Sequence, residues 1–318
     1  MKNKASALKI DGIFLLDKPV GLTSNGALQR VKRLFNARKA GHTGSLDPLA
    51  TGMLPICLGE ATKVSQFLLD SAKIYRGTAT LGIKTTTGDT EGEVISEREV
   101  RALSEEYLQQ VLAQFTGAIQ QIPPMFSAIK HQGQPLYVLA RRGIEVKREP
   151  RTVQIYSLDL ISYTKNSFEF EVHCSKGTYI RTLVEDIGEV IGCGAHLSAL
   201  RRLSVIPYQK NKMMTLDQLE VIQSEQGAIA LQQFLLPVDT SVQHLLPVKL
   251  SSSSTFYIRT GQPVMVPHLP VEGFVRIFAD DGRFLGVGEI TDDGRVAPRR
   301  LVNLSIPRAP LLAEHEVA

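Results

Sequence analysis

One acidic side chain, Asp47, stands in the segment from Ala40 to Pro55 among Gly41, Gly44, Gly52 and the apolar Leu46, Leu49 and Leu54. The glycines mark backbone that needs a positive φ or lets another molecule approach closely. Pro48 fixes its own φ and biases Asp47 toward an extended conformation, so the carboxylate is held on a stiff turn. Such a group is a turn former, a paired structural ion, or a working nucleophile or base. A phosphate-binding loop is excluded, because no Gly-Lys-Ser/Thr closes the segment and Asp47 would repel the anion. A glycoside hydrolase would need a second carboxyl in a comparably constrained loop, and the sequence offers none.

The second chemical candidate is Arg181. Phe168 to Cys174 alternates as a strand, and Ser175-Lys176-Gly177-Thr178 turns the chain and caps a helix. Ile180, Leu183, Val184, Ile187 and Ile191 form its core stripe, and Gly192-Cys193-Gly194 stops it. Arg181 lies off that stripe near the helix N-terminus, where the dipole disfavours a cation. Glu185, four residues on, is one possible partner, and a strong external anion is a better one.

Gly-His-x-Gly-x-Leu-Asp-Pro-x-Ala-x-Gly-x-Leu, at 41–54, resembles the catalytic-aspartate motif of the bacterial tRNA pseudouridine synthases that act on the T-loop uridine. Lys18-Pro19-x-Gly21-x-Thr23-Ser24, Lys73-Ile74-Tyr75 through Leu81-Gly82, and Cys174-Ser175-x-Gly177-x-Tyr179-Ile180-Arg181 extend the resemblance over almost the whole chain. It implies conversion of uridine 55 to pseudouridine: the base leaves C1′ through N1, rotates, and rejoins through C5. That reaction has no redox change and no group donor, so no cofactor is expected.

The same resemblance implies the roles. Asp47 is catalytic, and Arg181 pairs with it, lowering its pKa and fixing its rotamer. Tyr75 stacks on the target base and can relay a proton; Tyr179 and Leu200 line the base pocket. His42 contacts the T loop, Lys18 belongs to a motif that braces the active-site loop, and Lys130 lies in a basic thumb that meets RNA. Phe126 departs from the pattern: tyrosine is expected there, so any hydroxyl role is lost. Uracil leaves as a resonance-stabilised anion, so one carboxylate suffices. Asp47 as nucleophile at the sugar, as base at C2′, or in addition to C6 of the base all remain open.

The elements that must position these groups follow from pattern. Ile10 to Leu16 reads as a strand, and Thr23 or Ser24 caps a helix carrying Leu28, Val31, Leu34 and Phe35. Glu60 to Asp70 has helical spacing, and Tyr75 to Leu81 alternates so that Tyr75, Gly77, Ala79 and Leu81 share a face. Thr85 to Gly92 is a polar hairpin or loop, and Ser104 to Phe115 is a helix with Tyr107, Leu108, Val111, Leu112 and Phe115 on one side. The thumb, about 122–152, holds Lys130, His131, Arg141, Arg142, Lys147, Arg148 and Arg151, nearly all its charge of one sign.

Thr215 to Phe234 is the last helical stretch, and Ser251 to Ser254 suggests a boundary. Beyond it Phe274–Phe278, Phe284–Ile290 and Arg295–Pro298 are short strands with Asp-Asp-Gly turns. The expected fold is α+β: a pseudouridine synthase domain over 1–245 with a mixed, largely antiparallel sheet flanked by helices. A small PUA-like β-barrel follows at 246–310, then a tail at 311–318.

The 318 residues carry a net charge of +4, a mild bias toward a polyanionic partner, here the tRNA T stem-loop. Three scattered cysteines suit neither a disulfide framework nor a zinc site. With no signal-like or spanning apolar run, a cytoplasmic, metal-free monomer away from membranes is expected. The rival readings are an RNA-binding protein without catalysis, a nucleoside hydrolase, and a synthase acting on other RNA stem-loops.

Overall fold

A computed structural model describes residues 8–304. Residues 1–7, the end of the expected C-terminal unit (305–310) and the tail (311–318) lie outside the described residues.

The chain opens with β1 (Gly12–Lys18), α1 (Ser24–Leu34), β2 (Ala40–His42) and β3 (Thr51–Leu58). The Thr23 hydroxyl caps α1, accepting from the Gly26 N–H at 3.0 Å. The single helix expected from Glu60 to Asp70 is instead a 3-10 turn, Gly59–Lys63, followed by α2 (Ser65–Leu69). Hydroxyls of Thr62 and Ser65 donate to carbonyls three residues back and compete with regular helical pairing.

Next come β4 (Lys73–Leu81), the hairpin β5 (Ile83–Thr85) and β6 (Val94–Glu97), and α3 (Glu105–Ala113). Along β4, Tyr75, Gly77, Ala79 and Leu81 share the buried face, as the alternation requires. On α3, Leu108, Val111 and Leu112 complete the buried stripe, which leaves Tyr107, expected on that side, exposed.

β7 (Gly117–Gln121) leads into the thumb, with β8 (Lys130–His131), β9 (Gln134–Pro135) and α4 (Leu136–Ala140). β10 (Arg151–Tyr163), β11 (Ser167–Cys174), α5 (Ile180–Ile191), β12 (Ala195–Val205) and α6 (Leu216–Gln226) follow. The main sheet runs β1-β3-β12-β4-β11-β10-β7, with β2 also on β3. Every pairing in it is antiparallel except β3 with β12, which meet in parallel at Thr51–Arg201 and Gly52–Arg202. That junction lies directly after the Asp47 turn.

The helical region does not end at Phe234. After β13 (Leu246–Lys249) the serine run begins α7 (Ser252–Arg259), and the Ser251 hydroxyl accepts from the Ser254 N–H. β14 (Val264–Met265), β15 (Gly273–Phe278), β16 (Phe284–Ile290) and β17 (Arg295–Leu301) complete a second sheet, ordered β13-β15-β16-β17-β14. In sequence the serine run suggests a boundary, because hydroxyl side chains serve linkers and caps equally well.

Three apolar clusters hold the main sheet. One packs α3 and α5 on β4, β10, β11 and β12, and a second packs α1 and α6 on β1 and β3. The third joins the two sheets: Ile13, Leu15, Met53 and Cys57 share it with Phe284, Val287 and Val302.

Candidate active site

Asp47 stands on the turn between β2 and β3; two of the three glycines around it do the work expected of them, whereas Gly41 lies in β2 with ordinary backbone and room for a Cβ. Gly44 (φ +89°) and Gly52 (φ +97°) both have left-handed backbone. A Cβ on Gly52 would also meet the Arg202 carbonyl oxygen at 2.2 Å, so only glycine lets this turn lie against β12. Ser24, at the start of α1, fastens the turn from one side: its Oγ accepts from the Leu46 N–H at 2.7 Å and donates to the Leu46 carbonyl at 3.0 Å. Lys18 does so from the other. Its buried Nζ donates to the carbonyls of Leu22 (2.6 Å), Pro19 (2.9 Å) and Pro48 (3.4 Å). Burial lowers the Lys18 pKa to about 8, against the attraction of Asp47.

Arg181 comes from the first turn of α5, and its Nε lies 3.1 Å from Asp47 Oδ2. A second carboxylate, buried Asp89, lies 3.6 Å from its Nη1. The remaining donors reach the carbonyls of Thr87 (2.9 Å) and Phe126 (2.8 Å). The cation at the wrong end of the helix dipole therefore has external anions as its partners, and Glu185 is not among its ion pairs. Phe126, noted for its missing hydroxyl, contributes its backbone carbonyl, which any side chain would leave in place.

The expected cap of α5 is also corrected. Thr178 Oγ1 donates back to the Ser175 carbonyl, and the N-cap is Tyr179, without a side-chain cap bond. Gln121 at the end of β7 supplies the partner instead, accepting from the Tyr179 N–H at 3.0 Å and donating to the Tyr179 carbonyl at 3.2 Å.

The two charged partners differ in access. The Arg181 side chain is 6% exposed, whereas that of Asp47 is 42% exposed. The guanidinium is sealed in protein while the carboxylate is partly open to solvent. Desolvation nevertheless raises the Asp47 pKa; Arg181 opposes this and Asp89 reinforces it. The pairing alone was expected to lower that pKa. The net shift runs the other way, because desolvation exceeds the attraction and a second carboxylate shares the same arginine.

Strand register builds the rest of the pocket. β12 faces β4 with Leu200 opposite Gly77 and Arg202 opposite Tyr75, so Tyr75, Leu200 and Arg202 lie on one side of the sheet. Tyr75 is almost fully buried, and that burial, with a small contribution from the Asp47 charge, raises its phenol pKa against the opposing charge of Arg202. Tyr179 is half-buried beside Ser127, and its raised pKa reflects burial, opposed by Ser127, Arg151 and Arg181. His42, on β2, has a buried Nδ1 without a hydrogen-bond partner among the described residues, and burial and then Arg202 disfavour its charged form.

Lys130 stands apart. It is exposed on the β8 hairpin of the thumb, and no hydrogen bond or ion pair among the described residues joins it to Asp47. Part of the thumb's positive charge is also answered locally, by Lys147–Glu149 at 3.3 Å and Arg148–Glu145 at 3.3 Å. Asp89 and Arg202 escaped the sequence reading. Asp89 hides in a Thr/Gly/Asp loop that reads as solvated, and Arg202 in an Arg-Arg pair that reads as surface. The period-two alternation of β12 was the available signal: it sends one arginine out to Asp17 and the other in.

Comparison with known proteins bears on this arrangement. The family model for the N-terminal domain of TruB family pseudouridylate synthases matches residues 32–180. Models for the tRNA pseudouridylate synthase B C-terminal domain and for the C-terminal part of pseudouridine synthase II TruB match 181–243 and 247–302. A tRNA pseudouridine synthase B of Coxiella burnetii is 55% identical over 293 residues, covering 92% of this chain and 95% of its own. That of Tolumonas auensis is 56% identical over 302 residues, with 93% of each chain covered. The chain belongs to the TruB family.

Solved structures of other complexes share the architecture. The solved Cbf5-Nop10-Gar1 complex matches with a TM-score of 0.72 and 28% identity, covering 93% of this chain and 85% of the other. An H/ACA RNP bound to a substrate RNA containing 2′-deoxyuridine gives 0.69 and 25%, covering 93% and 86%. The fold is thus the pseudouridine synthase fold, and its second sheet fits a PUA-like unit. Among the described residues no cluster of His, Cys, Asp and Glu is arranged to hold a metal ion, and no helix is long and apolar enough to cross a membrane.

Proposed function

We propose that this chain isomerises uridine 55 in the T loop of tRNA to pseudouridine, with Asp47 as the group that acts on the ribose. The observation that carries the reading is the Asp47–Arg181 pair at 3.1 Å, its cation sealed and its carboxylate partly open to solvent. The N1–C1′ bond breaks with its electron pair passing to the uracil, the base turns, and C5 bonds to C1′. C5 loses its proton and N1 gains one, so substrate and product have the same atoms and no cofactor takes part.

Asp47 attacks C1′, removes the C2′ proton to give a glycal, or adds to C6 of the base. A deuterium isotope effect at C2′ separates the glycal route from the other two. The target nucleotide has to leave its stack, which costs a few kcal/mol. Tyr75 as a stacking surface and Leu200 as a packing contact offset part of that cost. Tyr179 lines the same pocket, His42 contacts the T loop beside it, Lys18 braces the turn, and Lys130 reaches RNA from the thumb.

Chemical mapping of pseudouridine in unmodified tRNA, incubated with wild type and Asp47→Asn, tests the reading. Product at position 55 with wild type alone is expected. Product with the variant, or at other positions only, would overturn it. An isolated T stem-loop should serve as substrate, and unrelated RNA hairpins should not.

A further inference from the structure

Arg202 is 1% exposed and heads the fully buried side chains by volume among the described residues. Neighbouring Arg201 has Asp17 at 2.7 Å, but no carboxylate of the described residues lies within ion-pair distance of Arg202. A buried charge without a counter-ion is costly. The donors of Arg202 go instead to two carbonyls, Met53 (2.6 Å) and Gly44 (3.1 Å). Met53 is the third residue of β3, behind the turn, and Gly44 lies three residues before Asp47 on it. Across the sheet Arg202 is opposite Tyr75 and, on its other side, Gly52. The charge is felt by His42, Lys18 and Tyr75, three groups already placed around the cleft. At Tyr75 that charge favours the ionised phenol, against a larger effect of burial.

We propose that Arg202 is a positioning residue of the isomerisation, which fastens Tyr75 to the Gly44–Asp47 turn and stabilises negative charge on the Tyr75 oxygen. This rests on the reading of Asp47 and Tyr75 given above. During rejoining, a phenol whose anion is stabilised can pass its own proton to N1 and take up the proton leaving C5. The net result is the transfer of one proton from C5 to N1, with no outside acid or base. Arg202 touches neither base nor ribose in this scheme. It acts through the ring and the turn that do.

Single-turnover pseudouridine formation by Arg202→Gln and Arg202→Lys tests this, alongside RNA affinity. Arg202→Gln should slow the reaction about 100-fold, the size found for losing one preorganised charge-stabilising donor. Its RNA affinity should stay within about threefold, or roughly 0.7 kcal/mol. The deciding measurement replaces Tyr75 by 3,5-difluorotyrosine, a more acidic phenol of nearly the same shape. In the Arg202→Gln background it should recover about tenfold, and in wild type it should change the rate far less.

A role confined to holding the fold would not respond to the acidity of the ring. No recovery, or an Arg202→Gln rate close to wild type, overturns the proposal. If Arg202→Gln does not fold, the same comparison is made in Arg202→Lys, which keeps the charge and loses the paired donors. Asp47→Asn serves as the control. Product formed by that variant would sink the reading of the site itself, whereas absent fluorotyrosine recovery with inactive Asp47→Asn sinks only the role of Arg202.

Discussion

The two ends of α5 carry the same chemical oddity and resolve it oppositely. Arg181 puts a cation in the first turn and Glu189 puts an anion near the last, each against the helix dipole. At the far end Glu189 meets Lys84 at 2.6 Å and Arg98 at 3.0 Å in the open. Hydrogen bonds from Arg98 and Lys84 pull its pKa down to about 2. At the cleft the Asp47 carboxyl also has an arginine beside it, yet its pKa goes up, because desolvation outweighs the pairing. A partner charge therefore does not decide the state of a carboxylate by itself; the surrounding solvent does. The surface cluster is a solvated decoration, and the cleft cluster is a charge kept under tension.

Substitutions at both ends sharpen that contrast. Asp47→Asn should abolish isomerisation while tRNA affinity falls less than about tenfold, roughly 1.4 kcal/mol; single-turnover assays and filter binding measure the two. Arg181→Ala should also collapse turnover with binding mostly intact, and an unchanged kcat would remove the pairing argument. Asp89→Asn should cost about 10- to 100-fold in kcat/KM, as expected when one anchor of a catalytic group is lost.

The same variant has a pH signature. The raised Asp47 pKa means that activity needing the carboxylate is present at higher pH and fades as pH falls, sooner than for an ordinary aspartate. Asp89→Asn removes one cause of that elevation, so the acid limb of its kcat/KM profile should move to lower pH. Gly52→Ala should lower stability by about 1–3 kcal/mol through backbone strain, read as a drop in the denaturation midpoint. Glu189→Gln closes the series: rate and Tm should stay near wild type, because exposed ion pairs contribute little. A large loss there would erase the distinction between the two ends.

Much of this site was legible beforehand. Asp47 was marked by its glycines and proline, and Arg181 by the dipole it violates. Tyr75 and Leu200 were legible through family motifs. Asp89 and Arg202 were not, because their importance arises from contacts far along the chain. Asp89 matters only once β5, β6 and α5 converge, and Arg202 only once the β12 register is set against β4 and β3. The sheet followed from alternation and the helices from their stripes. What alternation could not settle was local competition for hydrogen bonds, as at Thr62 and Ser65, or a serine run that caps a helix. The direction of the Asp47 shift likewise depends on how far the fold desolvates that carboxyl, and no residue pattern encodes that.

The third apolar cluster, where Phe284, Val287 and Val302 lie against Ile13, Met53 and Cys57, has a consequence for inheritance. A C-terminal unit tethered by a linker could be exchanged between relatives like a cartridge. This one is welded by a seam whose two halves must change in step. Chimeras that transplant residues 246–304 without the facing side chains of β1 and β3 should come out insoluble, while those that carry both halves of the weld should fold.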